Sequence, residues 1–133
     1  MTGDRTPPSP REVALSYLEA LNVGDVDLIA SHVSEDFHNE HTSARGTSLV
    51  GRDTYRERLP SFLESFEDLR YEAEDVIAEG CRVAVPYVLT ARVSGHPVRI
   101  RGMFRFRIED GLITHRVDYW DGEEFRHQIE DRS

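Results

Sequence analysis

Asp118 is the residue in this sequence best suited to chemistry. It lies on the segment Leu112–Asp121, which opens at an Asp110-Gly111 turn and reads as a β-strand. Alternate residues of a strand share a face. Leu112, Thr114, Arg116, Asp118 and Trp120 therefore point one way, and Ile113, His115, Val117 and Tyr119 the other. A carboxylate two residues from a tryptophan suggests an acid at the wall of an apolar pocket. Burial there disfavours the charged form and moves the carboxyl towards neutrality, where it can take a proton from a carbon next to a carbonyl, or from water.

Other polar candidates gather around Phe37-His38-Asn39-Glu40-His41, expected as a short strand. Phe37 needs the core, so Asn39 and His41 share its face and His38 and Glu40 look outward; a one-residue slip would reverse this. His41 is a candidate proton partner, against the plainer reading of a surface histidine. Asn39 could orient water or a carbonyl, or serve a turn. Tyr17, Tyr55, Phe104 and Trp120 are expected to line the substrate pocket, with core packing as the alternative. His38 and His41, three apart on a strand, point to opposite faces and have no supporting acid or cysteine cluster, so no metal site is expected. No nucleophile elbow, phosphate loop or dinucleotide fingerprint appears, and chemistry without a cofactor is the simplest enzymatic reading.

Positioning these groups falls to an α+β domain. Ser9-Pro10-Arg11-Glu12 is a helix start with a capping box, and Val13, Tyr17, Leu18 and Leu21 fall on one helical face. Gly24 ends that helix and Asp25 caps a short second one with Val26, Ile29 and Val33 as its apolar stripe. Thr42 to Val50 reads as a loop. Gly51-Arg52-Asp53 opens a third helix carrying Tyr55, Leu59, Phe62 and Phe66, with Pro60 expected to kink or split it. Four strands follow: Leu69–Ala78, Arg82–Val93, Pro97–Ile108 and the Asp118 segment. Short turns make them an antiparallel meander. On the third, Val98, Ile100, Gly102, Phe104 and Phe106 face inward, and Arg99, Arg101, Arg105 and Arg107 outward. A closing helix carries Phe125 and Ile129. Residues 1–9 are expected as a flexible tail and 10–133 as a single domain.

The net charge of -9 argues against nucleic acid or an anionic membrane as partner. That acidity also favours cross-strand pairing, with Glu72 and Glu74 for example, or a subunit contact over polyanion binding by the outward arginines. One cysteine, Cys81, allows no intrachain disulfide, and with no apolar signal-peptide core a cytoplasmic setting is expected. No apolar run approaches the ~20 residues of a membrane helix.

This order of elements resembles the nuclear-transport-factor-2-like superfamily, and within it the SnoaL-like polyketide cyclases and ketosteroid isomerase relatives. The resemblance rests on Tyr17-Leu18-Glu19-Ala20-Leu21-Asn22 with Gly24-Asp25, on Gly51-Arg52, on Asp75–Gly80, on Phe106–Ile113 and on Asp118-Tyr119-Trp120-Asp121. It implies a cone-shaped α+β barrel, with a curved, mostly antiparallel sheet wrapped on three N-terminal helices, and dimerisation through the outer sheet face. It further implies an isomerase or cyclase acting on a hydrophobic carbonyl compound, with Asp118 at the position of the family's acid/base. Because the superfamily also contains non-enzymes, a ligand- or partner-binding module stays open. Val117-Asp118-Tyr119-Trp120-Asp121 is also similar to the last strand of limonene epoxide hydrolase. By that likeness Arg92 is the arginine beside Asp118, catalytic or a buried structural partner, while Ser94 replaces the hydrolase's second acid.

Overall fold

The computed structural model describes residues 7–43 and 48–130. Helix α1 (Pro10–Val23) begins as its sequence dictates: the Ser9 side chain accepts the Glu12 amide and the Glu12 carboxylate accepts the Ser9 amide. It ends where Gly24 turns left-handed at φ 79°. Asp25 caps α2 (Val26–Ala30) by accepting two backbone amides. That helix stops at Ser31, so Val33 does not extend its stripe but opens strand β1 (Val33–His41), fully buried.

Within the loop expected after Thr42, residues 44–47 lie outside the described ones, and Leu49–Val50 form a short strand β2. Helix α3 (Arg52–Ser65) runs through Pro60 without a break, which corrects the expectation of a split. The proline faces solvent, while Tyr55 and Leu59 are the buried residues of that helix. The expected strand Leu69–Ala78 is two strands, β3 (Glu67–Ala73) and β4 (Ile77–Glu79), both paired to β5 (Arg82–Val93). β6 (His96–Glu109), β7 (Leu112–Tyr119) and α4 (Gly122–Glu130) complete the chain. The turns joining β5 to β6 and β6 to β7 use left-handed pairs, Ser94-Gly95 at φ 52° and 81° and Asp110-Gly111 at φ 53° and 79°.

The strands form one sheet in the order β2-β1-β7-β6-β5-β3. Every pairing is antiparallel except β1 with β7. The fold is α+β, with N-terminal helices on a mixed, mostly antiparallel sheet. The core lies between α1, α3 and one sheet face, where Tyr17, Phe37, Tyr87, Phe104 and Phe106 are at most 1% exposed. Inward Val98, Ile100, Phe104 and Phe106 and outward arginines on β6 follow the alternation read from sequence. Arg101 pairs with Glu74 at 3.0 Å and Arg107 with Glu109 at 2.8 Å, so two of the outward arginines are answered by acids of the same chain.

One strand departs from simple alternation. Register between β6 and β7 slips between Arg107↔His115 and Ile108↔Ile113, leaving Thr114 as an extra residue. This bulge turns Ile113 inward, where it is 0% exposed, instead of onto the outer face with His115. Beyond the bulge Arg116 and Asp118 keep their inward direction, at 5% exposure each.

Candidate active site

Two strands deliver the polar end of the site. The parallel pairing of β1 and β7 sets Asn39 beside Arg116 and His41 beside Asp118. Hydrophobic Phe37, 0% exposed, fixes which face of β1 looks inward, so Asn39 is buried and His41 half-buried while His38 and Glu40 are exposed. His38 and His41 thus lie on opposite faces. No group of three His, Cys, Asp or Glu among the described residues is placed to hold a metal ion.

These groups end a cavity of about 500 Å³. Asn39, His41, Arg116, Asp118, Tyr55, Tyr71, Tyr87 and Trp120 line it together with Arg58, Ser61 and Ser65 of α3, and Leu21, Leu59, Phe62, Leu89, Ile100 and Phe125 are among its apolar walls. The size and mixed lining suit a drug-sized apolar molecule. Tyr17 and Phe104, expected as lining residues, sit below its surface. Tyr17 touches the site through its hydroxyl, and Phe104 packs 4.6 Å from the Tyr87 ring and 4.8 Å from the Arg116 guanidinium carbon.

Asp118 is held by one oxygen. The Tyr87 hydroxyl donates to Oδ1 at 2.6 Å, and Oδ2 receives no hydrogen bond among the described residues. Burial pushes the Asp118 carboxyl above its ordinary range; Arg116 and the Tyr87 hydrogen bond oppose this without cancelling it. Tyr87 reaches Asp118 because β6 offers Gly102 opposite it. A Cβ there would lie 2.6 Å from the Tyr87 ring and 2.7 Å from the Tyr119 carbonyl oxygen.

His41 Nδ1 lies 3.5 Å from Asp118 Oδ2. The Trp120 indole, which can only donate, gives its N–H to the same nitrogen at 3.1 Å. Nδ1 is therefore an acceptor and the ring is neutral, its proton on Nε2. Burial first, and the Arg116 cation second, lower its pKa to about 4, which agrees. His41 and Asp118 are neighbours rather than an ion pair.

Arg116 donates from Nε to Asn39 Oδ1 at 2.9 Å and from Nη1 to the Tyr17 hydroxyl at 2.7 Å. Tyr17 in turn shares a short hydrogen bond with Tyr55. Burial works against the cation, but the charge of Asp118 and the hydrogen bonds to Asn39 and Tyr17 support it, and the guanidinium stays charged.

Arg92 is a correction. It is exposed on β5 and donates to the Gly95 carbonyl at 2.8 Å, closing its own turn. Asp118 pairs with Phe104 and Phe104 with Val85, and Arg92 lies seven residues beyond Val85, roughly 24 Å at about 3.4 Å per residue. The arginine near Asp118 is Arg116, on the same strand face. Ser94 sits in the same turn as Gly95, at φ 52°, and is likewise remote. Tyr87 and Tyr71 belong to the site without a motif of their own in the sequence. Hairpin register about Ser94-Gly95 would have set Tyr87 opposite Gly102, the one inward β6 position without a side chain.

The SnoaL-like domain profile matches residues 14–116, ending two residues before Asp118. No curated protein matches the sequence at a significant level. Among solved structures, a Catenulispora acidiphila protein of ketosteroid isomerase-like fold, crystallised with trimethylamine, is 17% identical over 92% of this chain and 93% of its own, with a TM-score of 0.81. A candidate polyketide cyclase from Xanthomonas campestris pathovar campestris is 24% identical over 92% of this chain and 100% of its own, with a TM-score of 0.76. An epoxide hydrolase of Mycobacterium tuberculosis, similar to limonene epoxide hydrolase, is 18% identical over 90% and 89% respectively, with a TM-score of 0.78. At such identities the likeness is one of fold. The profile, spanning most of the chain, goes further: this protein belongs to the SnoaL-like domain family.

Proposed function

We propose that the protein is an isomerase or cyclase that needs no cofactor, acting on a hydrophobic carbonyl compound with Asp118 as general acid/base. The observation that carries the reading is a carboxyl 5% exposed at the polar end of an apolar cavity, one oxygen tied to Tyr87 and the other open. Such a group takes a proton from a carbon next to a carbonyl on Oδ2 and returns it to another position of the same molecule, so the reaction is balanced without a co-reactant. Neutral His41 supports this as a polar neighbour of Oδ2, and Asn39 through its hold on Arg116. Tyr55 and Trp120 shape the cavity.

Epoxide hydrolysis is the weaker enzymatic reading, since the arginine and second-acid positions of that likeness, Arg92 at the end of β5 and Ser94 in the turn after it, are remote from Asp118. The protein is further proposed to dimerise through the outer sheet face, which light scattering across concentration tests: a monomer throughout counts against it. For the chemistry, a thermal-shift screen of hydrophobic carbonyls and epoxides on wild type and Asp118→Asn is followed by turnover of each hit. Turnover that disappears in the variant supports the role. Turnover unchanged in the variant overturns it, and binding without turnover makes the protein a binding module.

A further inference from the structure

We propose that the cavity takes an apolar ligand carrying a delocalised oxyanion, a carboxylate or an acidic enolate, seated on Arg116. This rests on the cavity being the ligand site, as read above, and does not require Asp118 to be catalytic.

Arg116 is 5% exposed and lines the cavity. Its two side-chain hydrogen bonds go to Asn39 Oδ1 and the Tyr17 hydroxyl, both neutral. Among the described residues no aspartate or glutamate forms an ion pair with it. Asp118 supports the cation from beyond ion-pair distance, and burial biases that carboxyl towards its neutral form; a buried cation with no carboxylate in direct contact is costly to keep, and an anionic ligand lowers the cost. The third nitrogen, Nη2, makes no hydrogen bond among the described residues, and neither do the Tyr71 hydroxyl and the Asn39 amide nitrogen. No enclosed side-chain nitrogen or oxygen there lacks a partner. These three donors therefore open onto the cavity that their residues line.

The geometry selects the kind of anion. Phe104 covers the guanidinium from 4.8 Å, so the cation offers its edge to the cavity. An edge of N–H donors suits a flat, delocalised oxyanion. Two tethers hold the guanidinium in place before a ligand arrives, which lowers the ordering cost of binding. Burial raises the Tyr71 phenol above its ordinary pKa, so it remains a donor. The apolar walls Leu21, Leu59, Phe62, Leu89 and Ile100 leave about 500 Å³, enough for two fused rings.

Calorimetric titration with matched pairs tests this. One pair is 2-naphthoate and neutral 2-naphthamide; the other is 4-hydroxycoumarin, an acidic enol, and neutral 4-methoxycoumarin. Wild type is expected to prefer the anion of at least one pair by about tenfold or more, and the pair that shows it identifies carboxylate or enolate as the chemistry. Arg116→Met should abolish the preference and Arg116→Lys retain part of it. Should Arg116→Met fail to fold by circular dichroism, Tyr71→Phe is expected to reduce the preference several-fold. Equal binding of anion and neutral twin by wild type, binding of none of the four, or a preference undiminished in a folded Arg116→Met, overturns the proposal. Titrating Asp118→Asn separates the two readings: anion preference retained there with turnover lost supports both. Preference retained with turnover unchanged supports this one alone.

Discussion

Replacing Tyr87 by phenylalanine deletes one hydroxyl from the site and keeps the ring. The ring packs on Tyr71 at 5.0 Å and Phe104 at 4.6 Å, and both contacts survive. What is lost is a 2.6 Å hydrogen bond to Asp118 Oδ1 between groups 1% and 5% exposed. Hydrogen bonds to charged groups contribute about 1.5–3 kcal/mol and neutral ones about 0.5–1.5 kcal/mol. The cost of Tyr87→Phe should therefore depend on the charge of Asp118. The hydrogen bond holds the Asp118 pKa down, so its removal lifts an already raised pKa further. A raised folded-state pKa gives stability that is present at low pH and lost as pH rises through it. The variant should be penalised by about 1.5–3 kcal/mol where Asp118 is ionised and by roughly 1 kcal/mol less where it is protonated. Urea unfolding of both proteins, followed over the pH range from acid to mildly alkaline through which the Asp118 carboxyl titrates, measures the difference, and the acid limb of any pH–rate profile should move upward with it. A penalty that stays constant across the whole range, or none at all, refutes the claim that Tyr87 governs Asp118.

Gly102→Ala should cost about 1–3 kcal/mol in chemical denaturation, because the added methyl meets the Tyr87 ring at 2.6 Å and the Tyr119 carbonyl at 2.7 Å. Its pH dependence should follow that of Tyr87→Phe, since the ring that must yield carries the hydroxyl. The His41 ring should titrate near 4 by NMR, and a midpoint at the ordinary value of 6.5 would contradict its burial. With the folded pKa depressed, the unfolded chain takes up this proton first, so His41 should cost stability as pH falls from 6.5 towards 4.

The fold was legible because local signals agreed with one another. Ser9 and Glu12 announce the first helix, Asp110-Gly111 the last hairpin, and the Val98–Phe106 alternation the inner face of β6. Asp118 was legible too, since its alternation with Arg116 lies beyond the bulge. The bulge at Thr114 itself left no mark in the sequence: an unpaired residue depends on register with β6, and that is a long-range property. The same limit explains the arginine. Likeness to another enzyme pointed to Arg92, while the fold uses Arg116, which strand alternation had already set on the face of Asp118. The parallel pairing of β1 with β7, which brings Asn39 and His41 to the site, joins segments 77 residues apart and has no local signature.

Proton transfer by Asp118 is tested most directly by isotope exchange. A hydrophobic ketone that raises the melting temperature of the protein is incubated in deuterium oxide, and loss of its α-proton signal is followed by NMR with wild type and Asp118→Asn. Asparagine keeps an oxygen for the Tyr87 hydroxyl, so the cavity should remain intact. General acid–base catalysis contributes about 10²–10⁴-fold, and exchange is predicted to be fast with wild type and slower by at least ~10²-fold with the variant. Exchange at an undiminished rate in Asp118→Asn would contradict the account.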